Sequence, residues 1–512
     1  MSGTKHSSAL SGSSAYGYPA LIRVLIFAYA IQCFSFVTAD PDLWGHIKFG
    51  EEIWLTGGIP KTDPYSYTAQ GLPWINHEWL TEVLFYLIYA AWGSTGLLFF
   101  KLAVGLTIVQ ILTSLYRAKA RNDIVYLLHF VILIQVLAPG FMTRPHLLTY
   151  LFLTLLVLIF QKFFDGNANA LAWTPLLTLV WVNCHGGVVA GLCIYGTVTG
   201  IEVLRRFFGA RNQARLLFRY FSLSCLAALV NPYGYKLWLF FLQSLGTPRE
   251  IEEWAPIDLF DSSHLGYKVM ILLFIATFWS PARKRPWEIA LIVAAAYFGF
   301  RHQRHSVLTA ILITPYLPLQ LARLAEGIPW FIRSLSSVFH GLVASCLLLF
   351  SVFEFAYALN LYRTHNFKIF VEPTVYPVYA VQFMRANKIN GNILTPFDWG
   401  EYLIWKLPAS KVSIDGRFRT VYPETIIHKS WEFSRGGKGW RAMADDYPTE
   451  IILVRKSDPV RNALKRAGDW VQIYEDPISM LYVPKTLPPG GKAPLSKRSW
   501  INPTQRPSFE FP

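Results

Sequence analysis

The residues best suited to chemistry lie in one stretch, 40–82. Asp40 and Asp42 flank a proline, His46 follows one helical turn later, and Asp63, His77, Glu78 and Glu82 come further along. Proline restrains the residue before it, so Asp40-Pro41-Asp42 sets two carboxylates in an extended or turn geometry. Such a pair can share a divalent cation through oxygen ligands. One of the two can instead act as general base towards an acceptor hydroxyl or amine. The plainer reading is a solvated cap on the helix that carries His46. His77-Glu78 begins like the HExxH zinc motif, but Thr81 stands where the second histidine is required, so that motif is absent. Glu78 and Glu82 share a helix face, either as part of a site or as the wet side of an interfacial helix.

A second set, Arg301-His302-Gln303-Arg304-His305, places four donors at one helix end. Arginine presents a planar fork that matches phosphate oxygens, as a lipid-phosphate headgroup would require. Snorkelling to the headgroups is the alternative. Arg144 and His146, in the turn 141–146, and His185, beside Gly186-Gly187, are further candidates for substrate contact; packing explains His185 equally well. Asn231-Pro-Tyr-Gly234, Asp398-Trp-Gly-Glu-Tyr402 and Ile414-Asp-Gly-Arg417 read as turns.

These residues must be positioned by membrane helices. Of 512 residues 53% are apolar and only 15% charged, which excludes an ordinary soluble enzyme. Apolar runs of about 20 residues, the length that crosses a bilayer, recur from about Leu21 to Leu361. We expect about 11 transmembrane helices in 19–360, between a disordered tail at 1–18 and a soluble α/β region at 361–485. A Pro/Gly/Lys-rich flexible tail, 486–512, follows. The 40–82 stretch is the large first loop. Trp79 to Trp92 reads as an amphipathic helix, broken at Gly93–Gly96 before Leu97–Tyr116 crosses. In the C-terminal region we expect a helix over 376–387, strands over 392–394, 401–405, 411–414, 450–454, 470–474 and 480–483, and a helix over 459–467.

The net charge of +15 falls largely in short loops between apolar runs and does not indicate nucleic acid. Arg117/Lys119/Arg121, Arg205–Arg219, Arg283–Arg285 and Arg323/Arg333 mark the cytoplasmic side. The loops bearing His and acids, among them 247–266 with Glu250, Glu252, Glu253, Asp258 and Asp261, then face outward with the C-terminal region, and the N-terminus is cytoplasmic. The five cysteines all sit in apolar segments and form no CxxC pair, so they read as core residues.

This layout resembles the GT-C superfamily of integral-membrane glycosyltransferases, in particular the bacterial branch related to protein O-mannosyltransferases and aminoarabinose transferases. The resemblance rests on the Asp40-Pro-Asp42 pair after the first span, the Trp79–Trp92 segment before the second, and the outward C-terminal domain with FDWGEYLIWKLPASKVSIDGRFRTVYP. It departs from the better-known members in having two aspartates split by Pro41 rather than an Asp-Glu pair. The resemblance implies a sugar taken from a polyprenyl-phosphate carrier in the membrane and passed, with inversion, to an extracytoplasmic glycan, lipid or protein. One of Asp40 and Asp42 would be the base, and the other would orient it or bind a divalent cation, Mg or Mn. Arg301–His305 would hold the donor phosphate, and His46, His77, Glu78, Arg144, His146 and His185 would line the substrate site. The location implied is a bacterial inner membrane. Two other readings stand beside it: a glycolipid transporter or flippase, which needs the arginines but no base, and an envelope glycan polymerase or ligase.

Overall fold

The computed structural model describes residues 18–117, 122–245, 252–326, 337–485 and 508–512. The expected tails at 1–17 and 486–507, and the loop charges Lys119, Arg121, Glu250 and Arg333, lie outside the described residues. Among the described residues, five helices are long and apolar enough to cross a membrane: Trp79–Tyr116, Asp123–Gly140, His146–Phe164, Val188–Phe207 and Gly341–Thr364. A sixth is added if Gln303–Ile313 and Leu317–Ala325, bent by 59°, count as one. Other expected crossings form shorter helices, such as Thr174–Cys184 with 11 residues and Ala214–Ala227 with 14. At about 1.5 Å per residue these fall short of a hydrocarbon core about 30 Å thick. The run expected to cross over 307–321 breaks where Pro315 removes a backbone donor and clashes with the preceding turn.

The chain divides into two units, 1–35 with 105–140 and 252–361, and 36–104 with 141–251 and 362–512. The second unit holds the first loop. Its helix Leu43–Thr56 starts at Asp42 and buries Leu43, Trp44, His46, Ile47, Phe49 and Ile53 on one side. Trp44 is fully buried against Tyr376 and Tyr402, edge to face at 4.7 and 5.0 Å, and against Phe511. Gly50 lets the helix lie directly on the backbone of Glu82, because a Cβ there would overlap the Glu82 carbonyl. The helix Trp79–Arg117 is interrupted at Gly93, where φ 61° and ψ −158° suit glycine alone. The break expected from the sequence is therefore present.

Among its described residues the C-terminal region carries five strands: β1 Asn392–Leu394, β2 Lys411–Val412, β3 Ile451–Arg455, β4 Trp470–Glu475 and β5 Ser479–Pro484. They form one sheet in the order β2-β1-β3-β5-β4, parallel at β2-β1-β3 and antiparallel beyond. The strand expected at 401–405 is instead the helix Gly400–Lys406. Its residues 401–404 are all buried, and a short run buried on every side carries no period that distinguishes strand from helix. Residues 508–512, expected to be loose, are held by pairing of Phe511 and Val371 backbone N–H groups with the Ile369 and Phe509 carbonyls. The buried Phe511 ring explains the attachment.

The first loop runs along the edge of this sheet. Backbone bonds join Tyr67 N to Val412 O and Val412 N to Tyr65 O, and Ile75 N bonds Thr420 O. A buried arginine pins the two together. Arg417 donates to Asp63 at 2.6 Å and, as a fork, to Asp415 at 2.8 and 2.6 Å. Phe49, Tyr65 and Trp74 surround its guanidinium at 4.9–5.3 Å. Asp63 and Asp415 are fully buried and Arg417 nearly so, an arrangement sustained by the bidentate geometry and the ring faces.

Candidate active site in the first loop

Asp40 leaves the first helix in extended backbone, tied down by bonds from Ala39 N to Phe370 O and from the Tyr376 hydroxyl to Ala39 O. Its Oδ1 accepts from the Asp42 N–H at 3.0 Å and from Arg144 Nε at 2.6 Å. Arg144 Nη1 lies 3.4 Å from Asp42 Oδ2. One guanidinium thus compensates both aspartates. Asp42 occupies the N-cap position of the Leu43–Thr56 helix but makes no side-chain capping bond, so capping does not account for its carboxylate. Asp40 is buried, and its Oδ2 has no hydrogen-bond partner. A buried oxygen in that condition is costly until something donates to it.

A second cluster sits one turn further on. His46 Nδ1 lies 3.3 Å from Glu82 Oε1, and Glu82 Oε2 accepts from Asn76 Nδ2 at 2.5 Å. Glu78 Oε1 lies 3.6 Å from His77 Nε2 and 3.4 Å from His185 Nε2. The Gly187 N–H donates to His185 Nδ1 at 2.9 Å, so the ring proton resides on Nε2 and points at Glu78. Burial alone would lower the pKa of His46. The bond to Glu82 and the charges of Glu78, Glu82 and Asp42 outweigh it and raise the value.

The structure brings Asp40, Asp42 and Arg144 together, and His46, His77, Glu78 and His185 together. His146 stacks edge-on against Tyr150 at 5.2 Å and its ring centroid lies 6.4 Å from that of His185. In the other unit, Arg301–His305 clamps a neighbouring loop. His302 Nδ1 is bonded to the Trp254 carbonyl at 2.8 Å, and Arg304 lies over the Trp254 ring at 4.9 Å and 3.7 Å from Glu253. His305 packs edge-on to the same ring at 5.6 Å. Packing thus accounts for three of these side chains, whereas Arg301 is exposed.

Two residues, Lys101 and Glu401, went unnoticed in the sequence, and a third was left between two readings. Glu82, read as a candidate for the wet face of a helix, is 2% exposed. Lys101 is buried in an apolar helix and donates to the Phe36 carbonyl. An ionisable residue inside a span is itself a signal, and it was legible. Glu401, from the C-terminal region, accepts from the Gly45 N–H at 3.1 Å. Burial, then the Asp42 and Asp415 charges, push its pKa well above the usual carboxylate range against the pull of Arg417. Only the tertiary contact reveals it.

The divalent cation expected on Asp40 and Asp42 does not fit these residues. Arg144 already supplies a positive charge to both, at 2.6 Å from Asp40 Oδ1 and 3.4 Å from Asp42 Oδ2. Among the described residues, three converging ligand atoms occur only at His46, Glu78 and Glu82.

Sequence comparison finds no matching protein family and no matching curated relative. Solved structures do match. The archaeal oligosaccharyltransferase AglB from Archaeoglobus fulgidus, solved with an inhibitory peptide and a dolichol-phosphate, superposes with a TM-score of 0.55 at 12% identity, over 86% of this chain and 70% of its own. The mycobacterial arabinofuranosyltransferase AftD matches with a TM-score of 0.50 at 12% identity, over 91% of this chain but 41% of its own. ArnT from Cupriavidus metallidurans, bound to undecaprenyl phosphate, aligns over 92% of this chain and 98% of its own with a TM-score of 0.48 at 11% identity. The chain shares the fold of AglB and AftD, and its long apolar helices mark it as an integral membrane protein.

Proposed function

We propose that the protein transfers a sugar from a polyprenyl-phosphate carrier to an extracytoplasmic acceptor, with Asp40 as general base. The observation that carries this reading is the Asp40 carboxylate itself. Its Oδ1 is fixed by Arg144 and the Asp42 N–H, while its buried Oδ2 has no donor. An acceptor O–H or N–H supplies that donor. As the acceptor atom bonds to the anomeric carbon, its proton passes to Oδ2, the bond from that carbon to the carrier phosphate breaks, and the phosphate leaves with the electron pair. Direct displacement inverts the configuration. Asp42 shares Arg144 and holds it in place, and no metal takes part in the step. We place the chain in a bacterial inner membrane, the N-terminus cytoplasmic and the C-terminal region outside.

The test is sugar transfer by protein purified in lipid from a pool of polyprenyl-phosphate donors. Asp40→Asn should lower transfer by about 10²–10⁴-fold, the range for loss of a general base, with donor binding kept. Asp42→Asn should lose less. Full activity in both, or glycolipid binding without transfer by the wild type, would favour a transporter.

A further inference from the structure

The disagreement over the expected cation leads elsewhere in the same loop. We propose that His46, Glu78 and Glu82 form a zinc-class metal site, distinct from the Asp40–Arg144–Asp42 cluster. Their ligand atoms all lie within 4.8 Å of one another, and His46 and Glu82 are buried. The 3.3 Å between His46 Nδ1 and Glu82 Oε1 matches the edge of a tetrahedron whose metal–ligand bonds are about 2.0–2.1 Å. One imidazole and two carboxylates suit a borderline ion that accepts nitrogen and oxygen. Magnesium and calcium prefer six or more oxygens, which this cluster does not supply.

Charge supports the assignment. Among the described residues no lysine or arginine lies within salt-bridge distance of Glu78 or Glu82, whereas Arg144 contacts both Asp40 and Asp42. Two carboxylates brought together, one of them buried, call for a cation. The surrounding bonds are those that orient metal ligands. Asn76 holds the second oxygen of Glu82 and also accepts from the Glu78 N–H at 3.2 Å. His185 is a positioning residue here and no ligand. Its Nδ1 is occupied by the Gly187 N–H and the Thr149 hydroxyl, and its Nε2 lies 3.4 Å from one Glu78 oxygen, which leaves the other for the ion. Three protein ligands leave a fourth position for water or substrate. Such an ion joins the helix that begins at Asp42 to the first turn of the Trp79–Arg117 helix, on which Glu82 lies.

The experiment uses full-length protein in lipid, stripped with a chelator and titrated with Zn²⁺ against a chromophoric competitor. The wild type should bind one equivalent. Glu82→Gln and the more exposed Glu78→Gln should each weaken binding at least about tenfold, since even residues behind a metal's ligands alter affinity by about 10–100-fold. Asp40→Asn should bind as the wild type does. X-ray absorption at the zinc edge of the wild type, which needs no variant to fold, should show one imidazole among oxygen ligands. No stoichiometric binding, binding unchanged in both glutamate variants, loss of binding in Asp40→Asn, or a shell without imidazole would each overturn the site. Every readout is independent of sugar transfer, so the proposed reaction can fail while this site stands.

Discussion

Two acidic clusters lie within one helical turn of each other on the first loop, and they are completed differently. Asp40 and Asp42 enclose an arginine; Glu78 and Glu82 enclose only histidines. The first has a guanidinium fixed against both carboxylates and keeps one buried oxygen open, which suits accepting a proton. The second keeps an excess of negative charge around nitrogen and oxygen atoms that converge, which suits a cation. Acid count in the sequence does not separate the two. The partner that folding delivers to each does.

The comparison can be broken most severely at Arg144. Arg144→Ala would leave buried Asp40 uncompensated, and removing one partner of such a pair costs about 3–5 kcal/mol. Thermal unfolding should show the loss, and Arg144→Ala combined with Asp40→Asn should recover much of it. If the single variant unfolds like the wild type, the pairing described for the first cluster is wrong. The second cluster is tested by metal removal. If the site exists, a chelator should destabilise the zinc-loaded wild type by roughly 2.7 kcal/mol when free zinc had been about 100 times its Kd. Glu82→Gln should be insensitive to the same treatment.

Glu401 sharpens the contrast, because it is a buried carboxyl pressed by Asp42 without a cation of its own. Its pKa is raised in the folded protein above the ordinary value of 4.5. The folded state therefore binds more protons than the unfolded state in the window above about pH 4.5. Its contribution to stability is fully present below that pH and is lost as pH rises towards the raised value. Glu401→Gln, a neutral carboxamide of the same shape, should flatten this part of the stability–pH curve. An unchanged slope in denaturant unfolding between pH 5 and 8 would count against it. The smallest effect is expected at Arg304. Its contact with Glu253 is partly exposed, so Arg304→Ala should cost no more than about 1 kcal/mol. A much larger loss would show that the Trp254 clamp matters more than its exposure suggests.

How legible this was depends on the kind of signal. The Gly93 break and strands β1, β3, β4 and β5 were legible because local rules set them: a backbone only glycine adopts, and short β-rich runs bounded by turns. The 401–405 segment was not, since burial on all sides leaves no period to read. Likewise the chemistry of Asp40 and Asp42 could be suspected from their spacing, but Arg144, 104 residues away, could only be named as a weaker candidate. Arg301–His305 read as a phosphate cradle, although most of its donors turn out to hold Trp254 and its neighbours.

The sequence by itself determined that this is a membrane protein of helices with an α/β C-terminal region and an acid- and histidine-rich first loop. Hydropathy, proline and glycine act over a few residues, so these features follow from order along the chain. Which acid meets which cation was decided only by the tertiary structure. A guanidinium or imidazole compensates a carboxylate only within a few ångströms, and only the fold brings Arg144, Arg417 and Glu401 that close to the first loop.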